Sequence, residues 1–98
     1  MVQHNYEDFD EDIEWHGCRE YNANPYAVQV IMDTVSPSGK KAQVTITADS
    51  ESVWGGDLGA GESSPVLTVD GEYTAVHIAN NEYQQTLSVE GKIDWISN

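Results

Sequence analysis

The sequence predicts an all-β protein folded as a single antiparallel sandwich, and three observations carry that expectation. Apolar and polar residues alternate with period two in several stretches, turn-forming residues recur between them, and no segment repeats apolar residues at the helical period. Regular turns between short alternating runs mark sandwiches and small barrels, so a small β-barrel is the competing architecture. At 98 residues the chain has room for one core, since a domain of this size hides roughly two-thirds of its unfolded surface in a single interior.

Taken in order, residues 1–12 read as an acidic N-terminal arm and 13–98 as the sandwich domain. The run Glu7-Asp8-Phe9-Asp10-Glu11-Asp12-Ile13-Glu14 holds six carboxylates in eight positions, a density that resists packing on its own. Strands are expected at about 13–21, 26–35, 41–49, 65–69, 72–79 and 83–90, with a last one at 92–96. Val28, Val30 and Met32 mark one strand face, Ala42, Val44, Ile46 and Ala48 another, and Tyr83, Gln85, Leu87 and Val89 a third. Ser36-Pro37-Ser38-Gly39 and Asp70-Gly71 supply turns, and Asn80-Asn81 tolerates the left-handed backbone of a short hairpin. Between Ser52 and Ser64, Gly55, Gly56, Gly59 and Gly61 predict a long loop that Val53-Trp54 and Leu58 would pin to the body.

Two resemblances refine this reading. Asp70-Gly71-Glu72-Tyr73, followed by alternating residues, resembles the approach to a late strand of immunoglobulin-like sandwiches, where a tyrosine bonds back across a corner. The sandwich is therefore expected to be immunoglobulin-like, without an inter-sheet disulfide, because Cys18 is the sole cysteine. Ile13-Glu14-Trp15-His16-Gly17-Cys18-Arg19-Glu20, with strands following it, is similar to small acidic β-sandwich domains of halophilic archaea and their viruses. That resemblance spans at most residues 13–91 and implies neither an enzyme activity nor a defined ligand.

Composition points the same way. Seventeen Asp and Glu against four Lys and Arg give a formal net charge of −13. Such a chain repels nucleic acid and anionic membranes, and its self-repulsion weakens folding in dilute buffer; at about 1 M salt the Debye length falls to about 3 Å and the repulsion is screened. No apolar run approaches the roughly 20 residues of a membrane span, and Met1-Val2-Gln3-His4 lacks the basic and apolar regions of a secretory leader. The expected location is a virion or the cytoplasm of a halophilic host, with no membrane insertion and no nucleic-acid partner.

Each constellation of chemistry-bearing residues has a simpler reading. Asp8, Asp10 and Asp12 have calcium-loop spacing, but Ile13 and Arg19 stand where that loop needs Gly and Glu; a looser cation site of Asp8, Asp10, Asp12 and Glu14 is the residual metal option beside a solvated acidic arm. His16 and Cys18 alternate on one expected strand face, with only His4 and His77 to complete a zinc site, so Cys18 reads as a small buried hydrophobe. Gly55-Gly56-Asp57-Leu58-Gly59-Ala60-Gly61-Glu62 lacks the Lys-Ser/Thr of a phosphate loop and carries repelling carboxylates. Ser63-Ser64 lacks the Gly-x-Ser-x-Gly elbow. No catalytic residue and no cofactor is expected.

The function expected is that of a non-enzymatic structural or interaction protein, a capsid or tail decoration subunit from a halophilic host, bound to protein subunits of a homo- or hetero-oligomer. Phe9, Asp10 and Asp12 of the arm, Trp54 and Leu58 of the glycine loop, and Trp95 near the terminus are the expected partner-binding residues. The alternative is an acidic inhibitor that imitates DNA and blocks a basic groove through carboxylates around Asp8, Asp12, Glu72 and Glu82.

Overall fold

The alternating residues of 28–32 and 42–48 become the centres of two facing sheets. The computed structural model describes residues 1–98 and contains eight strands: β1 (Tyr6–Ile13), β2 (Cys18–Ala23), β3 (Ala27–Ser36), β4 (Ala42–Ala48), β5 (Glu51–Leu58), β6 (Leu67–Thr68), β7 (Thr74–Ala79) and β8 (Leu87–Ile96). Sheet I has the order β1-β8-β3-β6 and sheet II the order β2-β7-β4-β5. All pairings are antiparallel. No helix is long and apolar enough to cross a membrane.

The pairing is nested: β1 with β8, β2 with β7, β3 with β6, β4 with β5. One long hairpin rolled over itself gives this order, the eight-stranded jelly roll. The antiparallel sandwich is thus present and no barrel closes, while the connectivity differs from the immunoglobulin order of seven strands. Tyr73 accordingly forms no corner. It is half exposed, and its backbone pairs with Asp49 across the sheet end.

Four further expectations are corrected. Residues 6–12 are not an arm: they are the edge strand β1, with Phe9 and Ile13 buried and the register running from Tyr6 opposite Asp94 to Ile13 opposite Leu87. The 52–64 loop is for its first half the strand β5, joined to β4 by Asp49-Ser50. Both turn residues have positive φ, 47° and 69°, as a two-residue type I′ hairpin requires. Residues 80–86 are a loop rather than the start of a strand, and Tyr83 in it is 70% exposed. Asn80 is not left-handed but fully buried, its amide donating to Ile13 O and Gln85 O while its Oδ1 accepts from Glu82 N.

Eighteen buried apolar residues from both sheets form one cluster between them. Two glycines shape it. A Cβ on Gly91 would lie 2.3 Å from Ile31 O and 2.8 Å from Phe9 Cζ, so glycine lets the Phe9 ring lie across β8. A Cβ on Gly56 would lie 2.9 Å from the Trp54 indole, which folds back over that residue. Gly56 is therefore in β5 for packing, not for flexibility.

Candidate functional site

The two outer sheet faces differ in charge. On β1, Phe9 and Ile13 point inward, so Tyr6, Asp8, Asp10 and Asp12 point out. Register sets Asp8 opposite Lys92, Asp10 opposite Glu90 and Asp12 opposite Ser88, whose hydroxyl donates to Asp12 Oδ1 at 2.6 Å. Asp10 against Glu90 is a like-charge pair of the kind that destabilises a sheet. Thr34 Oγ1 donates to Glu90, and Asp33 is exposed at the β3 bulge between Met32 and Thr34. Sheet I thus presents a carboxylate face with Lys92 as its cation.

Sheet II presents the opposite. Its inward residues are Val44, Ile46, Val76 and Ile78, which leaves Gln43, Thr45 and Thr47 of β4 and Ala75, His77 and Ala79 of β7 on the outer face. Asn22 and Cys18 of β2 and Gly55 of β5 extend it. Carboxylates occur only at its two margins, Glu20 on β2 and Asp57 on β5. The centre is built of small side chains around His77, whose Nδ1 lies 3.5 Å from Glu20 Oε1. Cys18 is exposed at the edge of this face, which corrects its reading as a buried hydrophobe. Partial burial and the neighbouring Glu20 raise its thiol pKa, so the thiolate is disfavoured.

Where β1 and β2 stack, inward-leaning polar groups close the side of the sandwich. Tyr21 packs against Phe9, and its hydroxyl donates to Glu11 Oε1 at 3.4 Å. Burial and the Glu11 carboxylate push the Tyr21 phenol up to about 12. Arg19 lies 3.5 Å from Glu11 Oε2 and 3.4 Å from Glu14 Oε2. Trp95 Nε1 donates to Glu7 Oε1 at 2.8 Å. At the N-terminal end of β1, His4 Nδ1 pairs with Asp94 Oδ2, while Asp94 Oδ1 is buried without a partner.

The sheet ends hold two further features. Trp15 and Tyr83 meet edge to face at 4.8 Å, and Trp15 also meets His16 at 4.3 Å, so these rings fill one another's faces and enclose no pocket. An open cleft of about 710 Å³ lies between the β3–β4 turn and residues 59–62, with Lys40, Lys41, Ser38 and Glu62 on its walls. Its lysines are already paired, Lys40 with Glu82 at 3.5 Å and Lys41 with Glu62 at 3.2 Å. The Gly59 N–H and Lys41 hold the Glu62 carboxyl below its ordinary pKa, so Glu62 occupies the place an anion would take.

The expected site residues separate accordingly. Phe9 at 4%, Leu58 at 4% and Trp95 at 9% exposure turn their side chains into the core and offer none of them as a surface anchor. Asp10 and Asp12 are exposed on the sheet I face, and Trp54 is half-buried at the β5 edge. Asp8, Asp10, Asp12 and Glu14 do not converge: no group of three His, Cys, Asp or Glu side chains is arranged to hold a metal ion, and Glu14 turns to Arg19. Glu72 and Glu82 flank opposite ends of β7, in the sheet facing the one that carries Asp8 and Asp12. The sheet II face was missed, although its signal is in the sequence: the polar partners of Ala42–Ala48 and the outward residues of β7 carry no carboxylate in a chain with seventeen. No family model matches the chain, and no curated protein matches it either.

Proposed function

We propose that the chain is a non-enzymatic structural subunit of a larger assembly, a capsid or tail decoration protein of a virion from a halophilic host, seated on its neighbour through the outer face of sheet II. One observation carries this reading, the charge asymmetry of the two faces. Covering a carboxylate face costs the desolvation of every unpaired charge, whereas a flat surface of Ala, Thr and Gln gives up little on contact. An acidic chain adapted only to salt would carry acids on every exposed face; here one face is spared. The jelly-roll order is in keeping with a capsid role, since capsid domains use it, but lectins and cupins use it too, so the reading rests on the face and not on the fold.

The test uses Cys18 as a reporter at the margin of the spared face. In particles purified at high salt from producing cells, the chain should be present, with Cys18 alkylation slowed relative to the free protein and Tyr6 oxidation unchanged. Absence from particles, or equal Cys18 labelling in both forms, overturns the proposal. A second reading, the DNA-mimic inhibitor, gains from one observation. Asp8, Asp10 and Asp12 repeat along β1 at about 6.6 Å, two strand residues apart, with Glu90 beside them. Binding to a cationic nuclease whose log affinity falls linearly with log salt, abolished by Asp8→Asn with Asp10→Asn, would establish that reading instead.

A further inference from the structure

We propose that β5 is a self-association edge, at which two copies of this chain pair β5 with β5 antiparallel about a two-fold axis through Gly56, joining their sheets II into one sheet of eight strands. This pairing rests on the assembly reading and names a second copy as one neighbour. The four sheet edges are guarded unequally. A free edge offers unpaired N–H and C=O groups, and proteins blunt such edges with charge, bulges or covering loops. The β3 edge beyond β6 is covered: Met32 N–H bonds to Glu62 O, Ser64 N–H to Val30 O, and Ser64 Oγ accepts from Val30 N. The β1 edge carries six carboxylates in and beside it, and β2 carries Arg19 and Glu20. By contrast Ser52 to Gly56 of β5 is uncharged, and no β5 backbone group bonds to a turn or loop of the chain.

The register follows from the bulge and the charges. Ile46 faces Trp54 while Thr47 faces Ser52, so Val53 is the extra residue and the regular ladder is Trp54–Leu58. A two-fold axis through Gly56, its midpoint, sets Trp54 opposite Leu58 and Gly55 opposite Asp57 of the second copy, and no carboxylate faces another. An axis through Trp54 would oppose Glu51 to Asp57, and one through Asp57 would oppose that residue to itself, both unfavourable. Trp54 supports the choice. It points inward at the sheet edge, is only partly buried, and folds over Gly56, so the two indoles would flank the axis and cover each other's open side. Five paired residues a side fall short of the ~800 Å² per partner of a standard interface, and each chain carries −13. The dimer is therefore weak, concentration-dependent and strengthened by salt.

Sedimentation velocity of the full chain, from dilute buffer to multimolar KCl, tests this with two variants at Gly55. A Cβ there meets nothing closer than Val44 O at 4.0 Å, so both variants keep the fold, which circular dichroism checks. Gly55→Asp sets a carboxylate opposite Asp57 of the second copy and should weaken the dimer; Gly55→Lys sets an ammonium there and should shift dimerisation to lower salt. Two symmetric cross-strand pairs predict a roughly 2- to 30-fold change in dimer Kd in each direction. A wild-type monomer at every salt, or a dimer indifferent to both variants, overturns the inference. If the β5 pairing fails while Cys18 remains protected in particles, the assembly reading stands. A Gly55-sensitive dimer from a chain absent from particles would keep the β5 pairing and remove the assembly reading.

Discussion

Tyr21 is the residue whose chemistry is most altered by its surroundings. Its phenol lies between the sheets beside Glu11 and is pushed from 10.0 to about 12. Below pH 10 it is protonated in both states. Between 10 and about 12 the unfolded chain releases this proton and the folded chain keeps it, so stability falls as pH rises through that window. Urea unfolding across this range should show the decline in the wild type and a shallower one in Tyr21→Phe; identical slopes would refute the account. The neighbouring Phe9 shows what was legible at this scale. Phe9 and Ile13 are four apart, on one face of a strand, and that pattern was present in the sequence. Their apolar signal was outweighed by six carboxylates because charge density says how a segment behaves alone, not when its backbone is paired. Leu58 and Trp95 were misassigned for a related reason: nothing local distinguishes an apolar residue that anchors a partner from one that fills its own core.

At the scale of elements, Asn80 joins three pieces of chain. It ties the end of β1 through Ile13 O and closes the 80–86 loop through Gln85 O and Glu82 N. Asn80→Ala leaves the buried Ile13 carbonyl and two partly buried loop groups unpaired and should cost about 1–3 kcal/mol. Amide exchange should quicken in 80–86 and at Ile13 while the β4–β7 ladder stays protected; uniform loss of protection would mean a global effect instead. The strands 26–35 and 41–49 were legible because alternation is strongest where both neighbours are paired and one face is core. The hairpin Asp49-Ser50 was not, since neither residue announces positive φ as glycine does. Glycine misled in the other direction at β5, where Gly56 makes room for the Trp54 ring and only the folded chain displays that need.

For the molecule as a whole, charge is the governing quantity. A net −13 on 98 residues, with Asp10 set against Glu90, opposes compaction until counterions screen it. The thermal midpoint should climb from dilute buffer into molar KCl, and further than for the double variant Asp10→Asn with Glu90→Gln; a midpoint indifferent to salt would remove self-repulsion as a determinant of stability. The sandwich class and the acid balance were readable from sequence, whereas the strand order was not, because nested pairing joins residues that lie far apart in the chain.

That nesting also bears on how the protein is made. Of the eight strands β1 leaves the ribosome first, yet its hydrogen-bonded neighbour in the sheet, β8, is synthesised last of them. Until β8 emerges, β1 is an unpaired strand with two apolar anchors, open to any other exposed edge. Its carboxylates repel such strays for as long as the wait lasts. The acids that oppose the finished fold are in this sense gatekeepers of the unfinished one.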